Sequence, residues 1–136
     1  MAGARRDTIL LIDNDKSSRQ LLRLHLANAG YSTLEAEDAV TGGRLLIEQP
    51  PDLVILEANL PFLTGLDLIA TIAVDQSAPC LPVVFLASND EDRSRAQQLG
   101  DACLVRPFFA DELLRVVRGL LSWPQGSGAT PLPATS

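Results

Sequence analysis

Two short apolar runs in this chain end in acids. Ile9-Leu10-Leu11-Ile12 stops at Asp13-Asn14-Asp15, and Leu53-Val54-Ile55-Leu56 stops at Glu57, with Pro61 and Gly65 following. Carboxylates gathered in one place can hold a hard cation, attack as nucleophiles or pass protons. Whether these are gathered depends on the elements that carry them. Nearly continuous apolar runs of this length read as strands buried on both faces, the habit of parallel sheets covered by helices. If the two strands are neighbours, their carboxyl ends bring Asp13, Asp15 and Glu57 to one rim. That rim is where open α/β sheets place their chemistry.

Strand-like and helix-like patterns alternate along the rest of the chain. The pattern predicts strands at Thr8–Ile12, Tyr31–Glu35, Asp52–Leu56, Val83–Ala87 and Asp101–Val105. Helices are expected at Ser17–Ala29, Ala39–Glu48, about Gly65–Val74, Asp90–Leu99 and Ala110–Leu121. Gly30 suits the left-handed position after the first helix, and Gln49-Pro50-Pro51 stops the second. The polar stretch Asp75–Pro82 reads as a loop. In the last helix Leu113, Leu114, Val117, Leu120 and Leu121 form an inward stripe. Five such βα units predict a parallel sheet with helices on both faces. Right-handed crossovers then favour a flavodoxin-like (βα)5 three-layer sandwich, an α/β fold of strand order 2-1-3-4-5. The expected organisation is an N-terminal extension over 1–7, one domain over 8–122, and a flexible Pro/Gly/Ser-rich tail over 123–136.

With 136 residues, 46% hydrophobic and 21% charged, the chain can bury one core without staples. A net charge of −6 argues against a nucleic-acid footprint, which would cluster Lys and Arg. Cys80 and Cys103 have no metal-ligand spacing, and reduced thiols are the expectation. The single His25 excludes a multi-histidine metal site and reads as a partly exposed helix residue. The apolar run after Arg5-Arg6 is too short for a signal peptide, and no stretch approaches a membrane span, so a cytoplasmic location is expected.

The set of strand ends is more specific than any one motif. Asp13-Asn14-Asp15, Glu57, Ala87-Ser88 and Arg106-Pro107-Phe108 follow the first, third, fourth and fifth strands, with Gly30-Tyr31, Leu60-Pro61 and Gly65 between them. Together they resemble the receiver domain of two-component response regulators, over roughly Thr8 to Leu121. The resemblance implies a phosphotransfer switch. An Asp at the end of the third strand takes a phosphoryl group from a histidine kinase, and an acid pair after the first strand holds Mg²⁺. A Ser or Thr after the fourth strand and a Lys after the fifth grip the phosphoryl oxygens, while an aromatic on the fifth strand moves with the switch.

Carried onto this sequence, the pattern changes at nearly every position. Glu57 replaces the phosphoacceptor Asp, and Asn14 replaces the second metal-ligating acid beside Asp13. Ala87 replaces the hydroxyl residue, with Ser88 adjacent; Arg106 replaces Lys; Cys103 stands at the switch-aromatic position. Asn59, two residues past the acceptor position, matches a backbone-carbonyl metal ligand, and the Arg106–Pro107 bond is expected to be cis. Glu57 carries its carboxylate one methylene further out, whereas in-line transfer demands near-attack positioning. Asn14 removes a charge that Mg²⁺ favours, so Mg²⁺ binding is weakened and no cofactor is expected. The expectation is a pseudo-receiver, not an enzyme, with Glu57 in an ion pair with Arg106, in bidentate geometry if the two forks align.

By the same resemblance, the partner surface is the helix Asp90–Leu99, the strand after it and the helix Ala110–Leu121. It carries Arg93, Arg95, Arg115 and Arg118, and would meet a kinase, another regulator or a second copy. Two alternatives place chemistry elsewhere. Asp13 and Asp15 resemble the DxDx motif of haloacid-dehalogenase-like phosphatases, as nucleophile and general acid/base with Ser88 following, although the insertion and later acid pair of that family are missing. Otherwise Asp13 or Asp15 would stand in as a substitute phosphoacceptor.

Overall fold

The computed structural model of the chain describes residues 7–60 and 81–122. In chain order these hold β1 (Thr8–Ile12), α1 (Lys16–Asn28), β2 (Ser32–Ala36), α2 (Ala39–Glu48), β3 (Leu53–Glu57) and β4 (Val83–Ala87). Then come α3 (Asp90–Leu99), β5 (Ala102–Val105) and α4 (Ala110–Leu121). The helix expected over 65–74, Cys80, most of the neighbouring loop and the tail from 123 lie outside the described residues.

The five strands form one parallel sheet in the order β2-β1-β3-β4-β5, the order expected from the alternation. Alternation of side chains along each strand divides the core in two. Leu10, Ile12, Val54, Leu56 and Phe85 face one layer, where they meet Ala39 and Leu46 of α2 and Ala96 of α3. Ile9, Leu11, Leu53, Ile55, Val84 and Leu86 face the other, against Leu22 and Leu26 of α1 and Leu113 and Val117 of α4. Both faces of β1, β3 and β4 are thus dry, which is why their sequences read as unbroken apolar runs.

Local signals fix the element ends. Asp15 caps α1, its carboxylate accepting from Ser17 and Ser18 N–H. The helix closes in a Schellman turn: Gly30, at φ 97°, donates to Ala27 O, and Tyr31 N–H reaches Leu26 O. Three strands begin one residue later than the hydrophobic pattern suggests, for identifiable reasons. Tyr31 is spent on that turn. Asp52 and Asp101 turn their carboxylates onto Thr8 N–H and Val83 N–H, each at the entry of the adjacent strand. Likewise, α1 begins and ends one residue early, because Asp15 caps it and Ala29 is already outside it.

Two helical glycines face opposite surroundings. A Cβ on Gly42 of α2 would come within 2.9 Å of Ile12 Cγ1, a fully buried side chain, whereas Gly119 of α4 has open space. Gaining helix propensity is worth about 1 kcal/mol at either site, but overpacking a core costs about 1–3 kcal/mol. In urea unfolding, Gly119→Ala should therefore stabilise the domain by up to about 1 kcal/mol. Gly42→Ala should destabilise it by about 1–2 kcal/mol despite the same gain in propensity. Equal shifts for the two would contradict the packing of α2 on β1.

Candidate functional site

Parallel pairing sets Ile12 level with Leu56, so the residues one step beyond, Asp13 and Glu57, sit side by side at the carboxyl edge. Both are buried, at 2% and 7% exposure, and they are the buried charged residues among those described. Arg106 starts one residue past β5, with β4 and β3 lying between it and β1. That is about 14 Å at about 4.8 Å per strand spacing, a gap only a long side chain can close. Backbone pairing of Arg106 N–H with Ala87 O, and a cis Arg106–Pro107 bond, set its starting point.

The guanidinium then makes three contacts. Its Nη2 donates to Glu57 Oε1 at 2.9 Å and to Asp13 Oδ2 at 3.1 Å, and Nη1 donates to Ser18 Oγ at 3.1 Å. The remaining carboxylate oxygens are taken by main chain: Asp13 Oδ1 by Asp15 N–H at 2.9 Å, Glu57 Oε2 by Asn59 N–H at 3.1 Å. Every oxygen of the acid pair thus has a donor. The pairing with Glu57 is through a single nitrogen shared with Asp13, not the bidentate fork that residue types alone allow. Sharing follows from position: the acids lie side by side, so one nitrogen between them serves both.

Other expected site residues fall outside this knot. Asp15 is exposed and committed to capping α1, and Asn14, Asn59 and Ser88 are exposed. Ala87 is fully buried and brings only a methyl group to the end of β4. Cys103 is half-buried against the Phe85 layer, and burial pushes its thiol pKa up, outweighing the opposite pull of Arg93. His25 is half-buried beside a hollow of about 290 Å³ that Ser18, Leu22, Arg106 and Phe108 also line. Arg93, Arg95, Arg115 and Arg118 are exposed on α3 and α4.

Sequence reasoning missed two contributors, Ser18 and Arg19. Arg19 donates through Nη1 to Asp13 O at 2.7 Å and through Nε to Glu35 at 3.1 Å, tying the acid's backbone to β2. The available signal was position alone: both occupy the first turn of the helix that follows Asp13.

Magnesium, implied by the resemblance, can be tested against these donors. Hard cations need carboxylate oxygens free to coordinate. Here the Arg106 cation already lies against one oxygen of each acid, and Asn14 offers a neutral amide. Among the described residues no three His, Cys, Asp or Glu side chains gather as ligands. With Arg106 in place, the residues do not fit the ion. The phosphatase alternative loses its residues for related reasons: Asp15 is spent on the cap, and α1 starts at Lys16 with no room for an insertion.

Comparison with known proteins agrees with this architecture. The response regulator receiver domain family model matches residues 9–118. The regulator GltR of Pseudomonas aeruginosa is 36% identical over 84% of this chain and 48% of its own. The phosphate regulon regulator PhoB of the same species is 28% identical over 84% of this chain and 51% of its own. The chain thus spans about half the length of the curated relatives it matches. Among solved structures, a receiver domain of a P. aeruginosa sensor histidine kinase, with magnesium coordinated in its active-site cleft, superposes with TM-score 0.80. It is 23% identical and covers 88% of this chain and all of that one. No helix among the described residues is long and apolar enough to cross a membrane.

The knot has a measurable weight. Removing one partner of a buried ion pair costs about 3–5 kcal/mol, because the other charge is stranded. Arg106 keeps 29% of its side chain exposed, which softens this. Arg106→Met should lower unfolding free energy by about 2–4 kcal/mol in urea titration, leaving two acids face to face. Adding Glu57→Gln to that variant should restore part of the loss; a purely additive double variant would argue against coupling.

Proposed function

The chain belongs to the response regulator receiver domain family, and from that premise we propose that it is a pseudo-receiver. As a receiver domain it is a module of two-component signalling. In our reading it is not phosphorylated at the usual position and acts through protein contact, with residues 8–122 as the working unit. One observation carries this reading: Arg106 Nη2 lies between Glu57 Oε1 and Asp13 Oδ2, at 2.9 and 3.1 Å.

The chemistry follows from that contact. A nucleophile must present a free lone pair in line with the phosphorus. Glu57 is one methylene too long for the acceptor position, and Asn59 N–H and Arg106 Nη2 hold its two oxygens where they lie. Ala87 has no hydroxyl to donate to a phosphoryl oxygen, and Cys103 provides no ring to move. Nor does Asp13 or Asp15 make a ready substitute, the first paired with Arg106 and the second capping a helix. Glu57 is better read as a structural partner than as a phosphate mimic, since it brings about one negative charge where a phosphoryl group brings about 1.5–2.

For contact we assign the surface of α3, β5 and α4. Arg115 and Arg118 of α4 are exposed, and Arg93 of α3 makes only a 4.0 Å pairing with exposed Asp90. Exposed cationic side chains on this face suit acidic groups on a kinase, another regulator or a second copy.

Incubation with acetyl phosphate and Mg²⁺, read by intact mass, should leave the protein unmodified; a stable gain of one phosphoryl group overturns the reading. For the contact surface, Arg115→Glu with Arg118→Glu should weaken binding to the engaged kinase or regulator by about tenfold in surface plasmon resonance, the scale of losing about 1.4 kcal/mol. Unchanged affinity would place the contact elsewhere.

A further inference from the structure

Two acids buried together need a counter-cation, and receiver domains obtain theirs from solution. We propose that in this chain Arg106 is the resident cation of the site. Its guanidinium fills the position between Asp13 and Glu57 and makes the domain's charge balance independent of divalent metal. The proposal rests on the pseudo-receiver reading but concerns a different property, what neutralises the acids.

Three features support it. The first is geometry: a single nitrogen, Nη2, bridges one oxygen from each acid, as a bound ion would, at 3.1 and 2.9 Å. The second is anchoring. Nη1 holds Ser18 Oγ at 3.1 Å, so the planar fork is fixed at both ends, which a lysine point charge could not do. The third is permanence. The guanidinium is tethered to the chain at the end of β5 and cannot diffuse away. A divalent ion would have to evict it and break three hydrogen bonds. In return it would gain the acid pair and the Asn59 carbonyl, with Asn14 a neutral amide on the exposed side.

Arg106 is therefore the element that closes the site to metal, and removing it should open the site. The acids would then face each other with one oxygen apiece free, supported by Asp15 N–H and Asn59 N–H on their other oxygens. Arg106→Gln keeps polarity and removes the charge; Arg106→Lys keeps the charge and removes the fork.

The test is Mn²⁺ titration of the full chain, followed by paramagnetic broadening of the Asp13, Glu57 and Asn59 amide signals. Thermal melting with and without MgCl₂ runs in parallel. Wild type should show no broadening confined to these amides and no Mg²⁺-dependent rise in melting temperature. Arg106→Gln should bind Mn²⁺ at these positions at least about tenfold more tightly than wild type, with Arg106→Lys between the two. Wild-type broadening at the same half-saturation as Arg106→Gln overturns the proposal, as does a folded Arg106→Gln that gains no affinity. Should Arg106→Gln not fold, the comparison of wild type with Arg106→Lys decides by the same criterion. Failure here is separable from failure of the pseudo-receiver reading: a metal-binding wild type that resists acetyl phosphate sinks this proposal alone. A metal-blind wild type that becomes phosphorylated sinks the other.

Discussion

Two carboxylates on adjacent strand ends, almost without solvent, repel one another, and the register of β1 and β3 gives them no way to separate. Unit charges about 4 Å apart interact by about 4 kcal/mol at an effective dielectric of 20, a large share of what holds a small domain folded. Something positive has to stand between them. Here it comes from β5, carried across the ends of two intervening strands by the longest cationic side chain available. The loop after β5, the rim of β1 and β3, and the first turn of α1 through Ser18 are all joined at that one guanidinium.

The departures from the receiver pattern are physically coherent around this contact. An Asp at 57 would draw its carboxylate back by a methylene, away from a nitrogen already committed to Asp13. A Lys at 106 would offer an ammonium but not a plane that reaches Ser18 and both acids together. Asn14, exposed and neutral, adds no further negative charge to a rim that already carries Asp13, Asp15 and Glu57. Taken singly, each replacement looks like drift; at one site they fit the proposed exchange of a mobile cation for a fixed one.

Much of this was legible in the residue string. Apolar runs closed by acids located β1 and β3, and the alternation of five units gave the sheet order, because two-sided burial leaves an unmistakable hydrophobic signature. Strand starts were less legible. Asp52 and Asp101 look like strand residues beside apolar runs, yet they use their side chains to accept from the neighbouring strand, a role visible only once the register is known. The Glu57–Arg106 pairing was readable from types and strand ends. The sharing of Nη2 with Asp13 was not, nor were the supports from Ser18 and Arg19, since these depend on how α1 lies over the rim.

A switch needs two states whose balance something can shift, and a ligand shifts it only through differential affinity. In a receiver the charge at the strand-end rim supplies the difference, through metal and phosphoryl group. On the pseudo-receiver reading, a rim closed by the Arg106 guanidinium has neither input. The position where an aromatic would relay the change holds Cys103, a thiol whose ionisation is suppressed by burial. On that reading the bias has to come from the partner itself, whose binding energy selects among arrangements of the surface it contacts. A pseudo-receiver of this kind would report the concentration of its partner rather than the state of a kinase. The bridge from the end of β5 ties the ends of β1 and β3 together.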